Sequence, residues 1–165
     1  PSATGEGGRR EPTGAASLRG APPLERSVAV AWCYGAPGVG LSRLRALRHL
    51  DDGEMRGERD EAVRLTVERG FGKNHCLCHG DLGNLDLLAQ ASRAGGDLAL
   101  EGAVRRQSAA VLKSLERDGW LCGSRAGVLS PGLMNGLAGI GLGLLRLARP
   151  GRVPSVLTLD PPGRV

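Results

Sequence analysis

Aromatic side chains are nearly missing from this chain: Trp32, Tyr34, Phe71 and Trp120 make up 2% of 165 residues. A core must therefore be assembled from Leu, Val and Ala, and a surface of stacked rings for single-stranded nucleic acid is excluded. Lysine is almost as scarce, with only Lys73 and Lys113 among 22 basic residues. The net charge of +5 is spread along the chain without a compact basic patch, which also argues against a nucleic-acid partner. No long hydrophobic run is present. The longest apolar stretch, residues 136–145, is too short and too glycine-rich to span a bilayer, and nothing resembles a secretory signal peptide. A reducing, cytoplasmic setting is expected. There the four cysteines, Cys33, Cys76, Cys78 and Cys122, read as metal ligands or catalytic groups rather than disulfides.

What is abundant is glycine, with 27 residues, and its placement is ordered. Three segments share a Gly-x-x-Gly core entering an apolar stretch: WCYGAPGVGLSRL from Trp32, LCHGDLGNLDLL from Leu77 and LMNGLAGIGLGLL from Leu133. Their first glycines, Gly35, Gly80 and Gly136, lie 45 and then 56 residues apart. In that frame, position minus two holds Cys33, Cys78 and Met134, and position minus one holds Tyr34, His79 and Asn135. The pattern is that of a repeat array whose loops present side chains to a common place.

Residues 1–27, rich in Gly, Pro, Ala, Ser and Arg without a hydrophobic period, read as a linker or disordered lead-in, and 28–165 as the ordered part. A first helix is expected from Pro37, with Leu41, Leu44, Leu47 and Leu50 on one face and a stop near 51–53. A charged helix over 54–69 follows, with Ala62, Val63 and Val67 as its apolar side and Gly70 as its cap. Leu82, Leu85 and Leu88 mark a third helix ending at Gly95 and Gly96, and Asp97 is the expected N-cap of an amphipathic fourth closed by Gly119. The last helix, 132–149, is apolar nearly all round and is expected to be buried; a short extended tail over 153–159 follows. A glycine-started apolar helix thus alternates with a charged one. Stacked as pairs, such units form an inner and an outer layer, the all-α architecture of an α/α toroid or solenoid, with about three repeats present.

Zinc accepts thiolate and imidazole ligands in tetrahedral array, and a catalytic site keeps three protein ligands and one open position. Cys33, Cys78 and His79 supply that number. Adjacent Cys and His fit a zinc finger poorly, and Cys76 is an alternative to Cys78, which the repeat frame favours. The strings WCYGAPGVGLSRL, NHCLCHGDLGNLDLL and PGLMNGLAGIGLGLLRL closely resemble the C-terminal, LanC-like cyclase domain of class II lanthipeptide synthetases (the LanM family), from about Val28 to the C-terminus. The resemblance implies a toroid of seven helix pairs around one zinc held by Cys33, Cys78 and His79. It implies Michael addition of precursor-peptide cysteines to dehydroalanine or dehydrobutyrine, forming lanthionine or methyllanthionine in lantibiotic biosynthesis. The partners implied are a dehydrated precursor peptide and the rest of the synthetase, including its dehydratase domain.

The family's His-Gly repeat, carrying its proposed acid/base, and an upstream Asp have no counterpart in residues 1–27. A truncated cyclase, weakly active or inactive alone, is the expectation. Tyr34 is a candidate to hydrogen-bond the reacting peptide, and His75 to carry a proton or support a ligand, although packing and solvent exposure are the plainer roles for them. His49 reads as a helix-end cation, Cys76 and Cys122 as small hydrophobes, and Met134 and Asn135 as cavity lining. Two other functions fit the same residues: glutathione addition to dehydrated residues by a LanC-like protein, and a non-catalytic, zinc-braced helical repeat that binds peptides.

Overall fold

The computed structural model describes residues 28–125 and 128–161, and among these residues it contains five helices and no strand. The elements are α1 (Ala36–Ala46), α2 (Gly53–Arg69), α3 (Asp81–Gly95), α4 (Leu98–Asp118) and α5 (Leu137–Ala148). Helix α1 pairs with α2 and α3 with α4, while α3 also packs on α1 and α5. The inner layer is therefore α1, α3 and α5, and the outer layer is α2 and α4. Two complete pairs and the inner helix of a third form a partial α/α ring, as the alternation of apolar and charged helices predicts. The segment 1–27, read as a lead-in, lies outside the described residues.

The two layers begin their helices by different chemistry. Outer helices use a side-chain cap: Asp52 accepts from Met55 N at 2.9 Å, and Asp97 accepts from Ala99 N and Leu100 N at 2.8 and 3.1 Å. Inner helices have no side-chain cap and use a loop carbonyl seven residues back. Ala36 N donates to Ala29 O, Asp81 N to Asn74 O and Leu137 N to Ser130 O, at 3.0, 2.7 and 2.8 Å. That fold-back requires the Gly-x-x-Gly pair. A Cβ on Gly35 or Gly136 would stand 2.1 or 2.2 Å from the carbonyl oxygen of Ala29 or Ser130, and on Gly80 it would stand 2.3 Å from Asn74 Oδ1. On the second glycine of each pair, Gly38, Gly83 or Gly139, it would stand 2.1, 1.9 or 1.7 Å from the carbonyl oxygen of Trp32, Leu77 or Leu133. The sequence frame is thus a frame in space.

Helix α3 is the centre of the array. Leu82, Leu85, Leu87 and Leu88 are at most 2% exposed, and the first three meet Leu41 and Leu44 of α1, Val111 of α4 and Ile140 of α5 in one core with Leu77 and Leu157. On α2 the buried residues are Ala62, Leu65 and Thr66, with Val63 and Val67 half-buried, because the Arg/Glu face turns outward in ion pairs such as Arg64 with Glu61 and Glu68.

Four expectations need correction. Helix α1 stops at Ala46 rather than near 51–53: Leu47 to Leu50 turn through bonds to Arg43, Arg45 and Ala46, leaving Leu50 53% exposed. Helix α5 starts at Leu137 rather than 132, because the preceding loop is held in non-helical form by its bonds to the second repeat. Nor is α5 buried all round. Its buried residues are Gly139, Ile140, Gly143 and Arg146, while Leu145 is 58% exposed, since no outer helix covers that side among the described residues. An apolar groove of about 990 Å³, lined by Leu98, Leu112, Leu144 and Leu147, lies between α4 and α5. Finally, residues 156–159 form turns rather than an extended tail.

Two glycine substitutions should move stability in opposite directions. Gly57 in α2 has open space at its Cβ position, so Gly57→Ala should stabilise by about 0.5–1 kcal/mol through helix propensity. Gly83→Ala faces the Leu77 carbonyl and should destabilise by at least about 2 kcal/mol despite the same propensity gain. Urea unfolding midpoints of the two variants against the parent chain check both signs.

Candidate metal centre

The loops before α1, α3 and α5 are stitched by backbone bonds between equivalent positions. Cys33 N donates to Cys78 O at 3.3 Å, and Cys78 N donates to Met134 O at 3.0 Å, with Leu77 N on the same carbonyl at 3.1 Å. Position minus two of each repeat is thereby tied to position minus two of the next. Side chains leaving these positions emerge together at the N-terminal ends of the inner helices.

The ligand atoms of Cys33, Cys78 and His79 lie within 4.8 Å of one another, with Cys33 exposed and the other two half-buried. Three residues from two repeats thus meet as a group able to hold a metal ion. Burial and the adjacent Cys33 thiol push the Cys78 thiol up to about 12, because a lone thiolate there is poorly solvated and repelled by its neighbour. A bound cation reverses that balance and favours the thiolate.

The imidazole is oriented by a residue that no motif marks. His79 Nε2 lies 3.1 Å from Gly123 O. A carbonyl only accepts, so Nε2 carries the hydrogen and Nδ1 keeps the free lone pair. Gly123 is itself held by its N–H bond to Asn135 O at 2.7 Å. A Cβ on Gly123 would sit 2.6 Å from Cys76 Sγ and 2.8 Å from His79 Nε2, so only glycine lets this loop reach the ring. The third repeat therefore contributes through the carbonyls of Met134 and Asn135. Gly123 lies in the aperiodic loop after α4, and its spacing gave no signal; its partner is set by folding.

The remaining candidates separate. Cys76 is fully buried, its thiol pushed up by desolvation, and its Sγ accepts from His79 N at 3.4 Å. It stands behind the ligand loop, and Cys78, as the frame favours, joins the cluster. Cys122 is half-buried against the core, with Sγ 3.9 Å from Ser130 O. Tyr34 is 67% exposed beside Cys33. His49 is exposed at the end of the α1 turn.

His75 does not face solvent and is not one of the converging groups: it is 1% exposed. Leu121 N donates to its Nδ1 at 3.1 Å, so its Nε2 carries the hydrogen and donates to Ser114 Oγ at 3.0 Å. Ser114 in turn donates to Asp118 at 3.0 Å. Both ring nitrogens are committed, tying the loop before α3 to α4 through Ser114 and to the loop after α4 through Leu121.

These features define a helical-repeat protein with a thiol–thiol–imidazole centre at the loop end of its inner helices. Over residues 16–158 the chain matches the family described as lanthionine synthetase C-like protein, and it belongs to that family. It is also 30% identical over 135 residues to the lacticin 481/lactococcin biosynthesis protein LcnDR2 of Lactococcus lactis subsp. lactis, covering 74% of this chain. The aligned part is 15% of that relative, so the chain spans only a small fraction of its length. No described helix is long and apolar enough to cross a membrane.

Burial lowers the pKa of His75 from its ordinary value of about 6.5, so the folded state disfavours its protonation. The unfolded chain takes up the proton first, and stability should fall as pH drops through about 6.5. His75→Asn should remove this component of the pH dependence while lowering stability at pH 8. Denaturant unfolding of both proteins from pH 5 to 8 measures it.

Proposed function

We propose that this chain is the metal-binding part of a lanthionine-forming cyclase, with Cys33, Cys78 and His79 holding one zinc ion. The observation that carries this reading is the meeting of two thiols and one imidazole from two repeats within 4.8 Å. Zinc bonds of about 2.3 Å to sulfur and about 2.0–2.1 Å to nitrogen place tetrahedral donors about 3.7 Å apart, so a contraction of about one ångström closes the set. Two thiols and an imidazole are the donors a borderline-soft ion prefers, and three protein ligands leave one position open.

When bound, the zinc supplies a thiol-deprotonating Lewis acid at that open position. The peptide cysteine then gives up its proton, and its sulfur attacks the β-carbon of a dehydroalanine or dehydrobutyrine. A carbon–sulfur bond forms as the double-bond electron pair shifts toward the carbonyl, and a proton delivered to the α-carbon completes the thioether. No electrons enter or leave. His79 is held in its ligating tautomer by Gly123, and the buried His75 keeps the ligand loop on α4. To exposed Tyr34, next to Cys33, we assign the role of hydrogen-bonding the incoming peptide.

The substrate is a dehydrated precursor peptide, and dehydration belongs to other parts of a longer synthetase. Family membership supports this reading, as does similarity to a protein of lacticin 481/lactococcin biosynthesis. The same similarity favours peptide cyclisation over glutathione addition.

Zinc stoichiometry tests the ligand set. About one equivalent should survive dialysis in the parent chain and fall near zero in Cys33→Ala and in Cys78→Ala; full retention in both variants overturns the assignment. Cobalt-loaded protein should change its thiolate absorption when a cysteine-containing peptide is added. An unchanged spectrum would indicate a closed, bracing metal.

A further inference from the structure

We propose that residues 153–160 form a strap across the three inner helices, with Trp32 as the positioning residue through which it holds Cys33 at the metal centre. This rests on the assignment of Cys33 as a ligand. Cys33 is the one donor supplied by the first repeat; Cys78 and His79 both come from the second. Donor spacing therefore depends on how the first repeat sits against the second; besides the α1–α3 packing, the loops are linked there by the 3.3 Å backbone bond from exposed Cys33 and by Asn84 Nδ2 on Val30 O at 3.4 Å.

The strap supplies the further links. Trp32, adjacent to Cys33, donates its indole N–H to Leu157 O at 3.2 Å, across 125 residues of sequence. Leu157 is 7% exposed within the main core. Asp160 pairs with Arg45 of α1 at 2.7 Å. Ser155, fully buried, donates its hydroxyl to Asp86 of α3. Asp86 Oδ1 also accepts from Arg146 of α5, from Nε at 2.9 Å and Nη2 at 2.6 Å, while Arg146 Nη1 donates to Val153 O at 2.6 Å. One segment thus touches all three repeats through α1, α3 and α5.

Its own conformation is held under strain. Asp160 N donates to Ser155 O at 2.9 Å and Asp160 Oδ2 accepts from Ser155 N at 3.3 Å, closing a compact loop. The closure places Leu159 at φ 53°, in the left-handed region, with its side chain 86% exposed. A leucine there is disfavoured by its Cβ and contributes no burial, so the contacts on either side must offset the strain. A loose tail would relax; this one is clamped by the Asp86 network and the Trp32 bond. The Asp86–Arg146 pair is itself buried, with side chains 7% and 9% exposed, a kind of contact that specifies register more than it adds stability.

Two arms keep this proposal separable from the zinc reading. In the metal-free 165-residue chain, Trp32→Phe, which keeps the ring and removes the N–H, and Ser155→Ala, which releases Asp86, should each speed hydrogen exchange at the Cys33 amide severalfold while leaving α4 amides unchanged. In the second arm, both variants should bind cobalt about tenfold more weakly than the parent, as expected when a group supporting a ligand is removed. Linkage requires the reverse effect in the parent: cobalt should slow exchange at the Ser155 and Asp160 amides. Unchanged Cys33 exchange in both variants overturns the strap. If a variant loses helical circular dichroism, the parent's exchange with and without cobalt decides, and equal rates in the strap overturn the proposal. A parent chain that binds no cobalt instead overturns the metal assignment, while the metal-free exchange still judges the strap.

Discussion

The chain of backbone bonds from Cys33 to Cys78 and from Cys78 to Met134 is the constraint on which the rest depends. It pairs equivalent positions of successive repeats, so each loop inherits its place from the next. Once the loops are in register, the helices behind them must start at the same level, and α1, α3 and α5 run side by side. The candidate metal centre follows from this register: with the loops tied at equivalent positions, the ligand atoms of Cys33, Cys78 and His79 come within 4.8 Å of one another.

Glycine makes the register possible. Each loop folds back so far that its carbonyls lie where Cβ atoms would be on both glycines of the Gly-x-x-Gly pair. The first N–H of each inner helix is then satisfied by the loop instead of by a capping side chain, which keeps the helix start free of bulky polar groups. Outer helices, exposed to water, keep their Asp caps. The same economy of space recurs at Gly123, where the absence of a side chain lets a carbonyl reach the His79 ring and select its tautomer.

Much of this was legible in residue order. The frame aligning Cys33 with Cys78 marked the two thiols, and the adjacency of His79 to Cys78 marked the imidazole. Helices α2, α3 and α4 end at their expected glycines because a C-terminal glycine costs little there, and Asp97 caps α4 as expected, whereas the Asp52 cap of α2 emerged only in the structure. The reading failed where partners decide. The 132–136 segment carries an apolar pattern compatible with helix, yet its carbonyls are claimed by residues 77, 78 and 123. His75 has the sequence environment of a loop histidine, but Ser114 of α4 and Leu121 of the following loop take its two ring nitrogens.

The sequence by itself determined the repeat period, the helix types and the kinds of side chain offered at the loop ends, because these follow from local spacing: glycine pairs, apolar periodicity and Cys/His placement. Only the tertiary structure decided which thiol of the Cys76/Cys78 pair turns to the cluster, which nitrogen of His79 is free, and what the tail does. Each of these is settled by a contact between residues far apart in sequence, Gly123 with His79 and Leu157 with Trp32, and no local preference specifies which distant carbonyl a ring N–H will meet.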